Sequence, residues 1–257
     1  MSVDYTVPAP PAPPAPEPPA TNSFARLAGA LFAPAKTFAE IARRPDILVP
    51  LIVIVLIGYV STFLIIPKMD WSAIHEQQAE QVKKRNPNVT DADMERMSRF
   101  AEATGKVMGW ISPLLMLLWY VVVAGVMLLA FRLMGGEGNF KQAFSATLYA
   151  WLPLVILSIV MTIVVTLKGS FDPTQAATLV KSNPAFLVDQ KTQPVLFSLL
   201  SSFDVFTIWT LVLLTFGFSA LSKFSRAKSA VIVVVLWGIT IVIKIGLAAV
   251  QAMAAAA

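Results

Sequence analysis

The 257-residue sequence contains no cysteine. Disulfides, iron–sulfur clusters and thiol catalysis are therefore excluded. It contains one histidine, His75, in a polar segment, so a metal site within one chain would have no second imidazole. Charged residues make up 14% of the chain, against roughly 25% in ordinary soluble domains. Such a deficit is expected when much of the surface faces acyl chains instead of water. No basic stretch followed by a short apolar core occurs in the first 46 residues. A cleavable signal peptide is not expected, and the first apolar run should act as an uncleaved anchor.

What the sequence has is apolar length. The hydrophobic fraction is 56% and the mean hydropathy is +0.70. Five apolar runs lie at 49–66, 111–131, 144–167, 203–221 and 230–250. Each approaches the ~20 residues a helix needs to cross a bilayer core. The expected fold class is all-α: a polytopic membrane protein, a bundle of five transmembrane helices over 47–251, with outer segments at 67–110 and 168–202. Residues 8–19 read PAPPAPPAPEPP, so 1–22 is read as an extended, disordered tail without a core of its own. No flanking basic residue marks it as a ligand for a proline-binding module.

Residues 23–46 form an amphipathic segment. Phe24, Leu27 and Leu31 share a helical face, Pro34 interrupts, and Phe38 and Ile41 continue the pattern. Arg26, Lys36, Arg43 and Arg44 fall on the other faces. Two placements are open: flat on the membrane surface, or packed on the protein's own loops. Pro50 opens the first span, where its missing N–H would be unpaired anyway, and Pro67 closes it. The segment 68–106 is polar, with seven basic and seven acidic residues. Asn86–Pro87–Asn88 breaks it, and Thr90 followed by Asp91 and Asp93 predicts a helix N-cap. Two helices forming a small extramembrane subdomain are expected there. Pro113 lies in the second span, and Pro153 should kink the third.

Five spans put the termini on opposite sides. The loop 222–229, SKFSRAKS, carries Lys223, Arg226 and Lys228 and no acid. Basic residues in short loops close to span ends dominate orientation. With Arg43 and Arg44 just before the first span, the N-terminus is expected in the cytoplasm, in a bacterial inner membrane, and the C-terminus outside.

Candidate chemistry is sparse. Lys244 falls inside a span, where a lysine costs ~2.5–3.5 kcal/mol at the bilayer centre on insertion scales. Counted from the 222–229 turn, Asp204 lies within about one helical turn of it in depth. The two form an intramembrane ion pair, or Lys244 snorkels to the interface while Asp204 caps its helix. Gly135–Gly136–Glu137–Gly138 invites a phosphate-loop reading, but no lysine followed by Ser or Thr comes after it. It fits a tight reversal better. No pair of intramembrane aspartates and no Ser/His arrangement is present. Catalytic residues, cofactor and metal ligands are therefore all expected to be absent, and enzyme is the weakest class. The small residues of the spans, Gly58 with Thr62, Ala124–Gly125, Gly238 and Gly246, suit helix packing.

Three blocks carry a resemblance: LFAPAKTFAEIARRPDILVPL (31–51), LMGGEGNFKQAFSATLYAWLP (133–153) and SSFDVFTIWTLVLLTFGFSALSKFSRAKSAVIVVVLWG (201–238). Together with NPNVTDADMERM (86–97) they resemble bacterial members of the Yip family, the Ypt/Rab-interacting-protein domain of five membrane helices. The resemblance covers 24–250 and implies five spans and a cytoplasmic N-terminus. Eukaryotic members act in vesicle traffic with Rab-type GTPases, but their Asp-Leu-Tyr-Gly-Pro motif is missing from this sequence. No functional residue is therefore carried over. The expected role is a non-enzymatic scaffold or assembly partner in membrane organisation; the alternative is a small oligomeric transporter or channel. Expected partners are the lipid bilayer and either a second copy or another membrane protein, with no nucleic acid.

Overall fold

A computed structural model describes residues 22–86 and 88–256. The Pro/Ala-rich stretch 8–19 lies outside the described residues. Five helices are long and apolar enough to cross a membrane. Among the described residues, extended pairing is limited to an isolated bridge between Met69 and Phe171.

The chain begins with two short helices. In α1 (Ser23–Phe32), Asn22 accepts a hydrogen bond from the Phe24 N–H at 3.0 Å as N-cap. Pro34 then starts α2 (Pro34–Arg43), where its fixed φ suits a first turn. The apolar face of α2 is covered by the protein itself. Phe38 and Ile41 are 1% exposed and join the core, packed on α6 (Phe140–Ala150) and α10 (Val205–Ser222). Gly217 of α10 makes that approach possible. A Cβ there would lie 3.1 Å from both Ala146 Cβ and Phe38 Cδ1. Arg26 departs from the sequence expectation. It is buried, its Nη1 donates to the Arg44 carbonyl at 2.9 Å, and its Nε lies 3.7 Å from Glu40 Oε2. A paired guanidinium bridging α1 to the end of α2 is tolerable where a lone buried charge is not. Phe24 and Phe32, by contrast, are exposed.

Between α2 and the first span, Asp46 ties the segment to α6. It accepts from the Leu48 N–H at 3.2 Å and the Tyr149 hydroxyl at 3.1 Å, while its carbonyl accepts from Ser145 Oγ at 2.6 Å. Burial pushes its carboxyl pKa up. The hydrogen bonds from Ser23, Tyr149, Val49 and Leu48 together outweigh that and hold it below the usual aspartate value.

The first span is α3 (Leu48–Ile65). After α4 (Trp71–Arg85), α5 runs unbroken from Asp91 to Leu133 over 43 residues. The second helix of the expected outer subdomain and the second span are thus one helix. Thr90 caps it, its hydroxyl accepting from the Asp93 N–H at 3.2 Å. Glycines at 105 and 109 do not stop it; they admit Trp71 and Ile66, which a Cβ would meet at 2.5 and 2.7 Å. Pro113 stays inside the helix, buried against Gly58 of α3.

The expected kink of the third span, Phe140–Lys168, is a one-residue interruption of the helix at Trp151. Asn139 and Gln142 form a capping box at the start of α6. The helix ends at Ala150, Trp151 sits at the junction, and α7 (Leu152–Lys168) restarts with Pro153 in its first turn. Proline cannot donate to the preceding turn and its ring crowds the carbonyl four residues back, which accounts for the interruption there. Ser61 on α3 and Ser158 and Thr162 on α7 form a hydroxyl cluster between these spans, with Thr162 Oγ1 2.9 Å from Ser61 Oγ.

Gly169 ends α7 in the left-handed region at φ 78°. The outer segment then folds through α8 (Ala176–Leu179) and α9 (Pro194–Leu200). The last hairpin is α10 and α11 (Arg226–Ala256). The core lies where α2, α5, α6, α10 and α11 converge, with the Phe131 and Phe218 ring centroids 5.1 Å apart.

Candidate functional site

The structure does not pair Asp204 with Lys244. Asp204 is 6% exposed and caps α10, with Oδ1 accepting from the N–H groups of Phe206 at 2.9 Å and Thr207 at 3.3 Å. Its Oδ2 accepts from the Ser182 hydroxyl and from Asn183 Nδ2 at 3.5 Å. Four donors and a helix N-terminus stabilise this carboxylate without a cation. Lys244 donates instead to Ser201 Oγ at 2.7 Å and Ser202 Oγ at 3.4 Å, at the end of α9. No carboxylate stands within ion-pair distance of Lys244 among the described residues. Proximity in depth, read from residue counts, left the rotation of each helix undetermined. The 180–204 loop, folded back over the start of α10, supplied the partners that sequence counting could not see.

The loop 222–229 lies against the glycine turn. Lys223 adopts φ 60° and its Nζ lies 2.7 Å from Glu137 Oε2. Arg226 stacks 4.8 Å from the Phe216 ring centroid. Lys228 sits 3.5 Å over Phe224 and donates to the Met134 carbonyl at 3.2 Å. The glycine turn itself is tight: Gly136 N–H donates to the Phe131 carbonyl at 2.8 Å, and Gly138 has φ 110°. Arg132 donates twice to the Gly138 carbonyl, at 3.2 and 2.7 Å. Every backbone oxygen and cation named here is engaged within the protein. Among the described residues, no three metal-ligating side chains converge.

Two features were not anticipated. One is a cavity of about 700 Å³ between α5, α10 and α11, reached also by Ser198 of α9. Its floor is buried, with Met127, Leu214 and Val233 each under 5% exposed. Its rims, Trp119, Val126, Ile243 and Leu247, are exposed apolar side chains. Thr210 lines the floor at 3% exposure, and its hydroxyl has no hydrogen-bond partner. A buried, unsatisfied hydroxyl costs about 1–3 kcal/mol.

The other is a stripe along α5. Met97, Phe100, Thr104, Val107, Ile111, Leu114, Leu118 and Val121 recur at alternating spacings of three and four, and all are exposed. Gly105 and Gly109 mark the opposite, packed face. Spacings of three and four are the pattern of a helix seam that meets another helix. The signal was in the sequence, but the boundary drawn between 68–106 and the span at 111 cut it in two.

The Yip1 domain matches residues 28–247. "Membrane protein YknW" of Bacillus subtilis (strain 168) is 24% identical over 225 residues, covering 85% of this chain and 88% of that protein. No solved structure matches the chain. The domain match spans the first amphipathic helices, the glycine turn and the final hairpin, the three blocks that carry the packing described above; the chain belongs to the Yip1-domain family of integral membrane proteins.

Proposed function

We propose that this is a non-enzymatic Yip-type membrane protein that works by association, as a scaffold or assembly partner in membrane organisation. The supporting observation is the α5 stripe. Within a span, exposed apolar side chains are explained by lipid. Met97 and Phe100 are not so explained: they precede Ile111 by 14 and 11 positions, roughly 21 and 16 Å along the helix. Phe100 is 74% exposed there, and burying such a side chain is worth about 1.5–3 kcal/mol. A partner helix laid along α5 would cover the outer and the intramembrane parts of the stripe together. The loop carrying Lys223, Arg226 and Lys228 supports a cytoplasmic N-terminus and C-terminal end outside.

The chain has no cysteine, so single-cysteine variants at Phe100 and Val107 report contacts directly. Cross-linking in native membranes is expected to give an adduct at both stripe positions and none at Gln78, an exposed residue of α4. An adduct of twice the mass identifies a second copy; any other mass identifies a different membrane protein. Monomer alone at both stripe positions, or solute flux through proteoliposomes, would overturn the reading.

A further inference from the structure

The cavity between α5 and α11 has a polarity that runs in one direction. At one end Lys244 is held only by serine hydroxyls, Ser201 and Ser202, so its cationic charge is not neutralised by an acid. Thr210 lies six residues into α10 from Asp204, about 9 Å deeper along the axis. Beyond it the floor is entirely apolar, with Leu211, Leu214 and Val233. Toward the other end of these helices, Lys228 of α11 donates to the carbonyl of Met134, just after α5, and Phe131 of α5 stacks at 6.0 Å on Phe224 in the turn before α11. The cavity is thus floored by α10 and bordered by exposed apolar rims.

We propose that this groove binds one phospholipid with an anionic headgroup, drawn from the leaflet on the α9 side. Phosphate oxygens accept hydrogen bonds from Lys244 Nζ and the adjacent serine hydroxyls. The glycerol backbone lies between Lys244 and the apolar floor, over the buried Thr210. One acyl chain lies on the Leu211–Leu214 floor. The volume falls within the roughly 300–1,000 Å³ of specific ligand sites. Charge decides among occupants. A helix from a second copy could cover the apolar floor, but it would bring no anion to Lys244. A free phosphate would satisfy Lys244 and leave the rest of the groove unfilled.

Native mass spectrometry of the full chain, released from bilayers of equal phosphatidylglycerol and phosphatidylcholine, tests this. One retained lipid per chain is expected, with phosphatidylglycerol favoured about fivefold, the effect of one lysine near the membrane surface. Lys244→Arg should keep the preference, and Lys244→Met should bring it toward unity while a lipid is still retained. Leu211→Trp, which fills the floor, should abolish retention of either lipid. Two measurements guard against misfolding: an unchanged elution volume and a single cooperative melting transition in the same detergent. The proposal is overturned if the wild type shows no headgroup preference, or if Lys244→Met keeps it. It is equally overturned if inorganic phosphate displaces the lipid, or if Leu211→Trp converts a dimer to a monomer with no loss of lipid.

Discussion

Replacing Gly217 by alanine isolates the contact that docks α2 on the bundle. The added methyl would lie 3.1 Å from Ala146 Cβ, 3.1 Å from Phe38 Cδ1 and 3.2 Å from Phe38 Cε1. Ala146 cannot retreat, because its methyl is fixed to α6 and all but one of the residues from Ala143 to Ala150 are buried. Phe38 is 1% exposed and packed in the core cluster. Overpacking of this kind costs about 1–3 kcal/mol. The change also gains helix propensity, because glycine is about 0.8–1.0 kcal/mol worse than alanine in a helix interior. The difference is a net loss of about 1 kcal/mol. In a chain of this size that lowers the melting temperature by about 2–4 °C. The assay is thermal unfolding in a mild detergent, followed by tryptophan fluorescence. Adding Ala146→Gly removes one of the two colliding groups and should recover part of the loss, so the pair is non-additive. A melting temperature for Gly217→Ala equal to or above that of the wild type would refute the reasoning, since propensity alone would then decide.

Three further outcomes are expected. Asp204→Ala should cost about 2 kcal/mol, from a lost cap and stranded donors, while Lys244→Met costs under about 1 kcal/mol; equal losses in thermal unfolding would indicate an ion pair after all. Thr162→Val should destabilise by about 0.6 kcal/mol and by no more than about 1.7, the range of interhelical hydrogen bonds in membranes, read by unfolding in detergent; no effect would mean the hydroxyl cluster contributes nothing. Asp46 has a folded pKa depressed below 3.8, so its stabilisation is present above the unfolded value and is lost as pH falls through the folded one. Wild type should therefore lose more stability than Asp46→Asn on acidification below that value, and parallel curves for the two proteins would sink the assignment.

The periodicity of the chain carried much of the fold. Apolar length gave five membrane helices because lipid leaves no other way to satisfy so much backbone. The Thr90 cap and an irregularity at Pro153, expected as a kink, were readable because each acts through its own few neighbours. Arg26 was not readable: helical spacing placed it on a polar face, yet its partners, Glu40 and the Arg44 carbonyl, are brought to it by the turn at Pro34. The unbroken α5 was also missed. Composition changes at the membrane boundary while the helix does not, because a capped helix without an interruption simply continues.

The sequence by itself determined a membrane protein, the number of spans, the absence of thiol chemistry and the family resemblance. These depend on residue counts, on spacing and on contiguous motifs. Tertiary structure alone decided what Lys244 and Asp204 do, that α1 and α2 are docked on the bundle, and that a groove with an unpartnered Thr210 opens between α5 and α11. Each of those depends on how helices are rotated about their axes and where a distant loop folds back. Rotation inside a bundle is set by side-chain packing between segments far apart in the chain. Uniformly apolar spans leave it almost unmarked in the sequence.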